Sequence, residues 1–189
     1  MSPSSTLLFT LTILMCCSLS FVCSNRLIQQ TCKNCSKTDP NISYKFCVTS
    51  FQSDRRSHYY AKTLQDLGLI SIKITRRNVT DTNAHINNLL NKNKNLDPFI
   101  KECLNDCLEV YSDSISTFRE AIRDYKAKRY ADCNVKLSSI IDASTTCEDG
   151  FKQNNDATSP LTKRNKDTFQ LSAIALSIVN MLLNDTDIA

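Results

Sequence analysis

Two glycines among 189 residues, Gly68 and Gly150, leave this chain little means of building tight turns. The hairpin turns of β-sandwiches and the loops that cradle phosphates need positive backbone φ at fixed positions, which glycine adopts most readily. Past the first residues, proline occurs only at Pro40, Pro98 and Pro160, each beside a stretch that reads as a helix boundary. The chain is expected to be all-α.

Apolar spacing says where the helices lie. From Pro98 to about Lys126, the residues Ile100, Leu104, Cys107, Tyr111, Ile115, Phe118, Ile122 and Tyr125 advance by threes and fours, which puts them on one helical face. Asp97 is the natural N-cap and Pro98 suits the first turn, where no amide bond is lost. A second stripe runs through Cys133, Leu137, Ile140, Ser144, Cys147 and Phe151, and the short link from Ala127 to Ala131 makes the two helices an antiparallel pair. A third helix is expected from about Lys163 to Leu183. A fourth spans about His58 to Asn91, where the β-branched cluster from Ile70 to Thr75 leaves a strand as the alternative. The architecture is thus an up-down-up-down four-helix bundle over residues 58–189, preceded by a helical N-terminal extension over 25–57, the two forming one domain.

The leader sets the compartment. Leu7 to Val22 reads LLFTLTILMCCSLSFV, with no ionisable side chain before Arg26 and small residues at Cys23 and Ser24, so residues 1–24 are expected to be a cleaved signal peptide. An uncleaved anchor is the alternative, although the run is shorter than the ~20 residues a membrane span needs. The sequons at Asn34, Asn41, Asn78 and Asn184 agree with export, with Asn41 and Asn78 the favoured glycan sites. The expected destination is extracellular. No membrane association is expected once the leader is gone.

The formal charge of +4 is mild, and the basic pairs Arg55-Arg56, Arg76-Arg77, Lys128-Arg129 and Lys163-Arg164 are separated along the chain. That pattern argues against nucleic acid. Solvated helix faces are the plain reading, and an extracellular polyanion or an acidic protein the sharper one.

Seven cysteines remain beyond the leader: Cys32, Cys35, Cys47, Cys103, Cys107, Cys133 and Cys147. An odd number cannot all pair within one molecule. Cys103 and Cys107 stand one helical turn apart and either could meet Cys147, with stripe and level favouring Cys107. In that register Cys133 lies roughly 21 Å from Cys107 at 1.5 Å per residue, beyond the ~7 Å that a disulfide spans, and reads as a small buried hydrophobe. Cys35 could pair with Cys103 if the extension folds back over the helix at Pro98.

Chemistry is hard to find. His58 and His85 are the only histidines, neither has metal-binding spacing, and the single C-x-x-C at Cys32 to Cys35 has no second pair to complete a zinc site. Acid pairs such as Asp106 with Glu109, or Glu148 with Asp149, read as exposed helix turns. No metal, cofactor or catalytic activity is expected, and a hydrolase would need one of the two histidines. A binding protein remains, with an extracellular carrier of a small apolar ligand as the alternative.

Several segments are familiar. The run from Thr31 to Cys47 (TCKNCSKTDPNISYKFC), Leu67 to Ser71, Leu104 to Cys107 with Tyr111, Thr146 to Phe151, Ser159-Pro160, Asn165 to Asp167 and Gln170-Leu171 resemble the plant invertase and pectin methylesterase inhibitor family over nearly the whole mature chain. The resemblance implies a four-helix bundle with a helical hairpin extension and two disulfides, Cys32 with Cys47 and Cys107 with Cys147. It also implies a secreted, monomeric inhibitor that covers an enzyme's active-site cleft one-to-one, with acid invertase slightly favoured over pectin methylesterase as partner. In invertase inhibitors of this family a Pro-Lys-Phe motif between the second and third bundle helices enters the sucrose site. Lys128, Arg129 and Tyr130 stand there in this chain, so a cation still precedes an aromatic ring while lysine replaces the proline. Pectin methylesterase inhibitors instead lay the faces of bundle helices across the enzyme's groove.

Overall fold

The computed structural model describes residues 23–92, 95–154 and 157–186. Most of the expected leader lies outside the described residues, whose helices begin with residues 23–38 (α1). Two short helices, Tyr44–Gln52 (α2) and Arg55–Tyr60 (α3), complete the extension, and α3 runs past the boundary expected at residue 57. Four long helices follow: Leu64–Lys92 (α4), Pro98–Lys126 (α5), Tyr130–Phe151 (α6) and Thr162–Thr186 (α7). Each touches two neighbours in the cyclic order α4, α5, α6, α7, which closes the bundle.

Local chemistry explains the boundaries. Asp97 caps α5 by accepting the amides of Phe99 and Ile100, with Pro98 in the first turn. The helix expected from His58 in fact breaks in two. Asp54 caps α3 at the Arg56 amide, while Thr63 and Asp66 exchange side-chain-to-amide bonds in a reciprocal capping box that starts α4 at Leu64. The cluster from Ile70 to Thr75 is helical, not a strand. Ile70, Ile72, Ile74 and Thr75 are buried there, and burial of ~1.5–3 kcal/mol per large apolar side chain outweighs a propensity deficit of tenths.

The core is continuous from the extension into the bundle. Phe51, Leu67, Leu104, Phe118, Leu137 and Phe151 are each 1 % exposed or less. Tyr111 is the polar pin: its hydroxyl lies 2.8 Å from Asn165 Oδ1 and 3.1 Å from Thr168 Oγ1 on α7. Desolvation pushes its pKa up to about 12, so it stays a neutral phenol. The Ser43 amide donates to Gln170 Oε1 at 2.9 Å and ties the α1–α2 hairpin to α7.

Two disulfides staple this arrangement. Cys32–Cys47 closes the α1–α2 hairpin, with Cα atoms 5.7 Å apart, and Cys107–Cys147 joins α5 to α6 at 4.9 Å. In the chain-entropy picture they contribute about 3 and 4 kcal/mol. Cys35, Cys103 and Cys133 are free and buried. The suggested Cys35–Cys103 bond does not form: Cys35 contacts Ser177 of α7, whereas Cys103 lies one turn from Cys107 beside α6. Cys133 is fully buried and desolvation raises its thiol pKa to about 12, so it serves as a small apolar filler.

Candidate functional site

The α5–α6 turn collects the sequence-expected contact residues at one end of the bundle. α5 ends in a Schellman arrangement, with the Lys128 amide donating to the Tyr125 carbonyl at 3.0 Å and the Arg129 amide to that of Asp124 at 2.9 Å. This cap needs a left-handed residue, and Lys128 takes that place at φ 56°. A lysine there costs ~1 kcal/mol more than a glycine. Proline, whose ring holds φ near −65°, could not adopt this backbone or donate the bond to Tyr125.

The three residues then go different ways. Lys128 is exposed at the tip. Arg129 is half-exposed, with its guanidinium on the Asp124 carboxylate and its Nε 3.4 Å from Asp132. Asp124 also receives Lys136 Nζ at 2.8 Å, and these two cations, Lys136 first, hold its carboxyl below the usual range. Tyr130 turns inward: it is 5 % exposed and meets Tyr125 edge-on with centroids 5.3 Å apart. The aromatic ring expected at the enzyme contact is therefore part of the core, because it continues the buried stripe of α6 one turn before Cys133. Its work in this conformation is to hold the turn from beneath.

Asp124 and Lys136 were missed in the sequence. The available signal was an acid three residues after the buried Ala121, on the inner edge of α5. Further along α6, Val135 is 70 % exposed.

The sequons differ in setting. Asn34, Asn41 and Asn184 are exposed. Asn78 is half-buried within α4, and its Oδ1 accepts the Thr168 hydroxyl at 2.7 Å.

His58 Nε2 lies 2.7 Å from the Gln52 carbonyl, and burial together with Arg164 lowers the pKa of His85. Among the described residues there is no metal-binding cluster, and no helix is long and apolar enough to cross a membrane. An apolar crevice bounded by Phe51, Ile74, Leu171 and Ile174 holds about 10 Å3, well short of the several hundred a carried ligand fills.

These features define a disulfide-stapled helical bundle. Residues 26–178 match the family model "Plant invertase/pectin methylesterase inhibitor", and the chain belongs to this family of inhibitors, which are not enzymes. It is 44 % identical over 162 residues to "Putative invertase inhibitor" of Platanus orientalis, covering 86 % of this chain and 93 % of that one. It is 34 % identical to "Pectinesterase inhibitor 12" of Arabidopsis thaliana, covering 86 % and 91 %. The fold matches a crystal structure of a mutant pectin methylesterase inhibitor from Arabidopsis with TM-score 0.64 at 24 % identity, over 73 % of this chain and 89 % of that one.

Proposed function

We propose that this protein is a secreted inhibitor that occludes the active-site cleft of a plant carbohydrate-active enzyme as a non-covalent one-to-one complex. Acid invertase stands ahead of pectin methylesterase as the target, in keeping with the name of the Platanus relative. The carrying observation is Lys128, an exposed cation at the tip of the α5–α6 turn on a backbone that a lysine adopts at some cost. Arg129 supplies the second cation, oriented in advance by Asp124. Together they suit a cleft lined with carboxylates. Tyr130 supports the turn and makes no contact with the partner. We assign the protein to the apoplast or cell wall, with the vacuole as the other site, and place glycans at Asn41 and Asn78, with Asn34 and Asn184 as further sequons.

Pectin methylesterase is the second reading because of Val135. An apolar side chain left in water on α6 suits a mode in which helix faces cross a groove.

Arg129→Ala tests the reading. Invertase binding should weaken by about 1 to 3 kcal/mol, as a charge-assisted contact implies, while a melting curve monitors the internal pair with Asp124. Unchanged affinity would move the interface elsewhere, and loss of neither enzyme activity at micromolar inhibitor would remove the proposal.

A further inference from the structure

Two basic pairs that stand apart in the sequence, Arg55-Arg56 and Arg76-Arg77, are brought together in space through Arg56. Lys73, Arg76, Arg77, Thr80 and Asp81 follow one another at helical spacing along one stripe of α4, and Arg56 of α3 closes the opposite wall. Together they line an open groove of about 440 Å3. The α5–α6 turn is at the end of the bundle where Tyr125 meets Gln65, so the groove begins roughly 12 Å further along α4 at 1.5 Å per residue. The two surfaces are separate.

Asp54 organises the groove. Its side chain is 2 % exposed and takes two bonds from Arg56, Nε at 2.8 Å and Nη2 at 2.6 Å, with Arg77 Nη2 at 3.5 Å. Hydrogen bonding from Arg56 lowers its carboxyl pKa against the opposing effect of burial. A guanidinium carries more N–H donors than one carboxylate can use, so Arg56 is held in place with donors to spare, while Arg77 stays mostly exposed beside the same carboxylate. Lys73 and Arg76 make no ion pair among the described residues. One helical turn beyond Arg56, Tyr59 and Tyr60 are 73 % and 68 % exposed, with ring centroids 6.5 Å apart.

We propose that this groove binds an anionic polysaccharide of the polyuronate class, its carboxylates on Arg56, Lys73, Arg76 and Arg77 and its sugar rings against Tyr59 and Tyr60. The row of cations from Lys73 to Arg77 is linear and follows a helix, which fits a carboxylate repeating along an extended polymer. Fixed guanidinium groups pair with carboxylate in two-pronged geometry, and pre-positioning them reduces the ordering cost of binding. Aromatic rings left in water one helical turn from Arg56 add the flat apolar surface that a sugar face needs and an inorganic anion does not. The proposal is independent of the inhibitory turn and would let the protein remain on a charged matrix while that turn engages an enzyme.

Binding of the full mature chain to polygalacturonate, with its fully methyl-esterified form as neutral control, tests this directly. The acid form should bind, weaken as salt rises, and outcompete the ester at least tenfold. Lys73→Ala with Arg76→Ala, both outside the core, should lower affinity at least tenfold and leave enzyme inhibition and melting temperature unchanged. Tyr59→Ala with Tyr60→Ala should lower it several-fold without altering the salt dependence. Equal binding of acid and ester forms, or unchanged affinity in the lysine and arginine variant, would overturn the proposal. Tighter binding of a sulfated glycan, or of poly-glutamate without dependence on Tyr59 and Tyr60, would also overturn it, in favour of a sulfate or an acidic protein.

Discussion

Gly68 lies within α4 where Tyr125 of α5 crosses it, and replacing it with alanine should test how tightly the turn is underpinned. A Cβ at residue 68 would sit 2.1 Å from Tyr125 Oη, 2.9 Å from Cζ and 3.1 Å from Ile178 Cγ2. Tyr125 must therefore move. Its hydroxyl donates to the Gln65 carbonyl at 2.8 Å, and its ring is the surface on which Tyr130 rests. Overpacking of this kind costs about 1 to 3 kcal/mol, and the lost hydrogen bond about 1. Alanine returns about 1 kcal/mol through helix propensity. Gly68→Ala should consequently destabilise the fold by about 1 to 3 kcal/mol, a fall in Tm of ~2–4 °C per kcal/mol for a domain of this size. Tyr125→Phe removes the nearest atom, so the double variant should be more stable than the two single losses add up to, by at least ~0.5 kcal/mol. Urea unfolding of the four proteins measures both quantities. A rise in stability for Gly68→Ala alone, or strict additivity in the cycle, would refute the reasoning.

Lys128→Gly relieves the left-handed lysine and should raise stability by about 1 kcal/mol while weakening inhibition of the target enzyme several-fold; an unchanged inhibition constant would separate this side chain from the contact. Replacing Cys107 and Cys147 together by serine should lower unfolding free energy by about 3 to 4 kcal/mol, and a loss below 1 kcal/mol in urea would contradict the assigned role of that bridge. The folded-state pKa of Asp54 lies below its ordinary 3.8, so its contribution to stability is present above about pH 4 and lost as pH falls through the lowered value. Wild type should thus lose Tm more steeply than Asp54→Asn below pH 4, and parallel curves would refute the linkage.

Much of the bundle was legible because its signals were redundant. In α5 the apolar period, the Asp97 cap and Pro98 all point to the same start, and the structure begins the helix at Pro98. In α4 the signals conflicted. The Thr63-x-x-Asp66 box was present in the sequence, but the expected helix ran through it from His58, and the β-branched run left a strand as the alternative. Tertiary burial of Ile72 and Ile74 decides the second point.

The site was legible in place but not in detail. A short link between two amphipathic helices locates Lys128, Arg129 and Tyr130, whereas the inward turn of Tyr130 shows only when the α6 stripe is extended back from Cys133. A Schellman cap without glycine gives no sequence signature, so the φ of Lys128 was hidden, and with it the reason a proline could not stand there. The basic groove was hidden for another cause. Arg56 and Arg76 belong to different helices, and only the folding of α3 against α4 brings them together.

The central claim is that the surface at the α5–α6 turn closes an enzyme's cleft without chemistry. Titrating purified acid invertase and pectin methylesterase with the mature protein at mildly acidic pH measures this most directly. Loss of one activity with an end point at one inhibitor per enzyme, reversed on dissociation and weakened by Lys128→Gly, is the predicted result. Full activity of both enzymes at micromolar protein, or inhibition that Lys128→Gly and Arg129→Ala both leave intact, would contradict it.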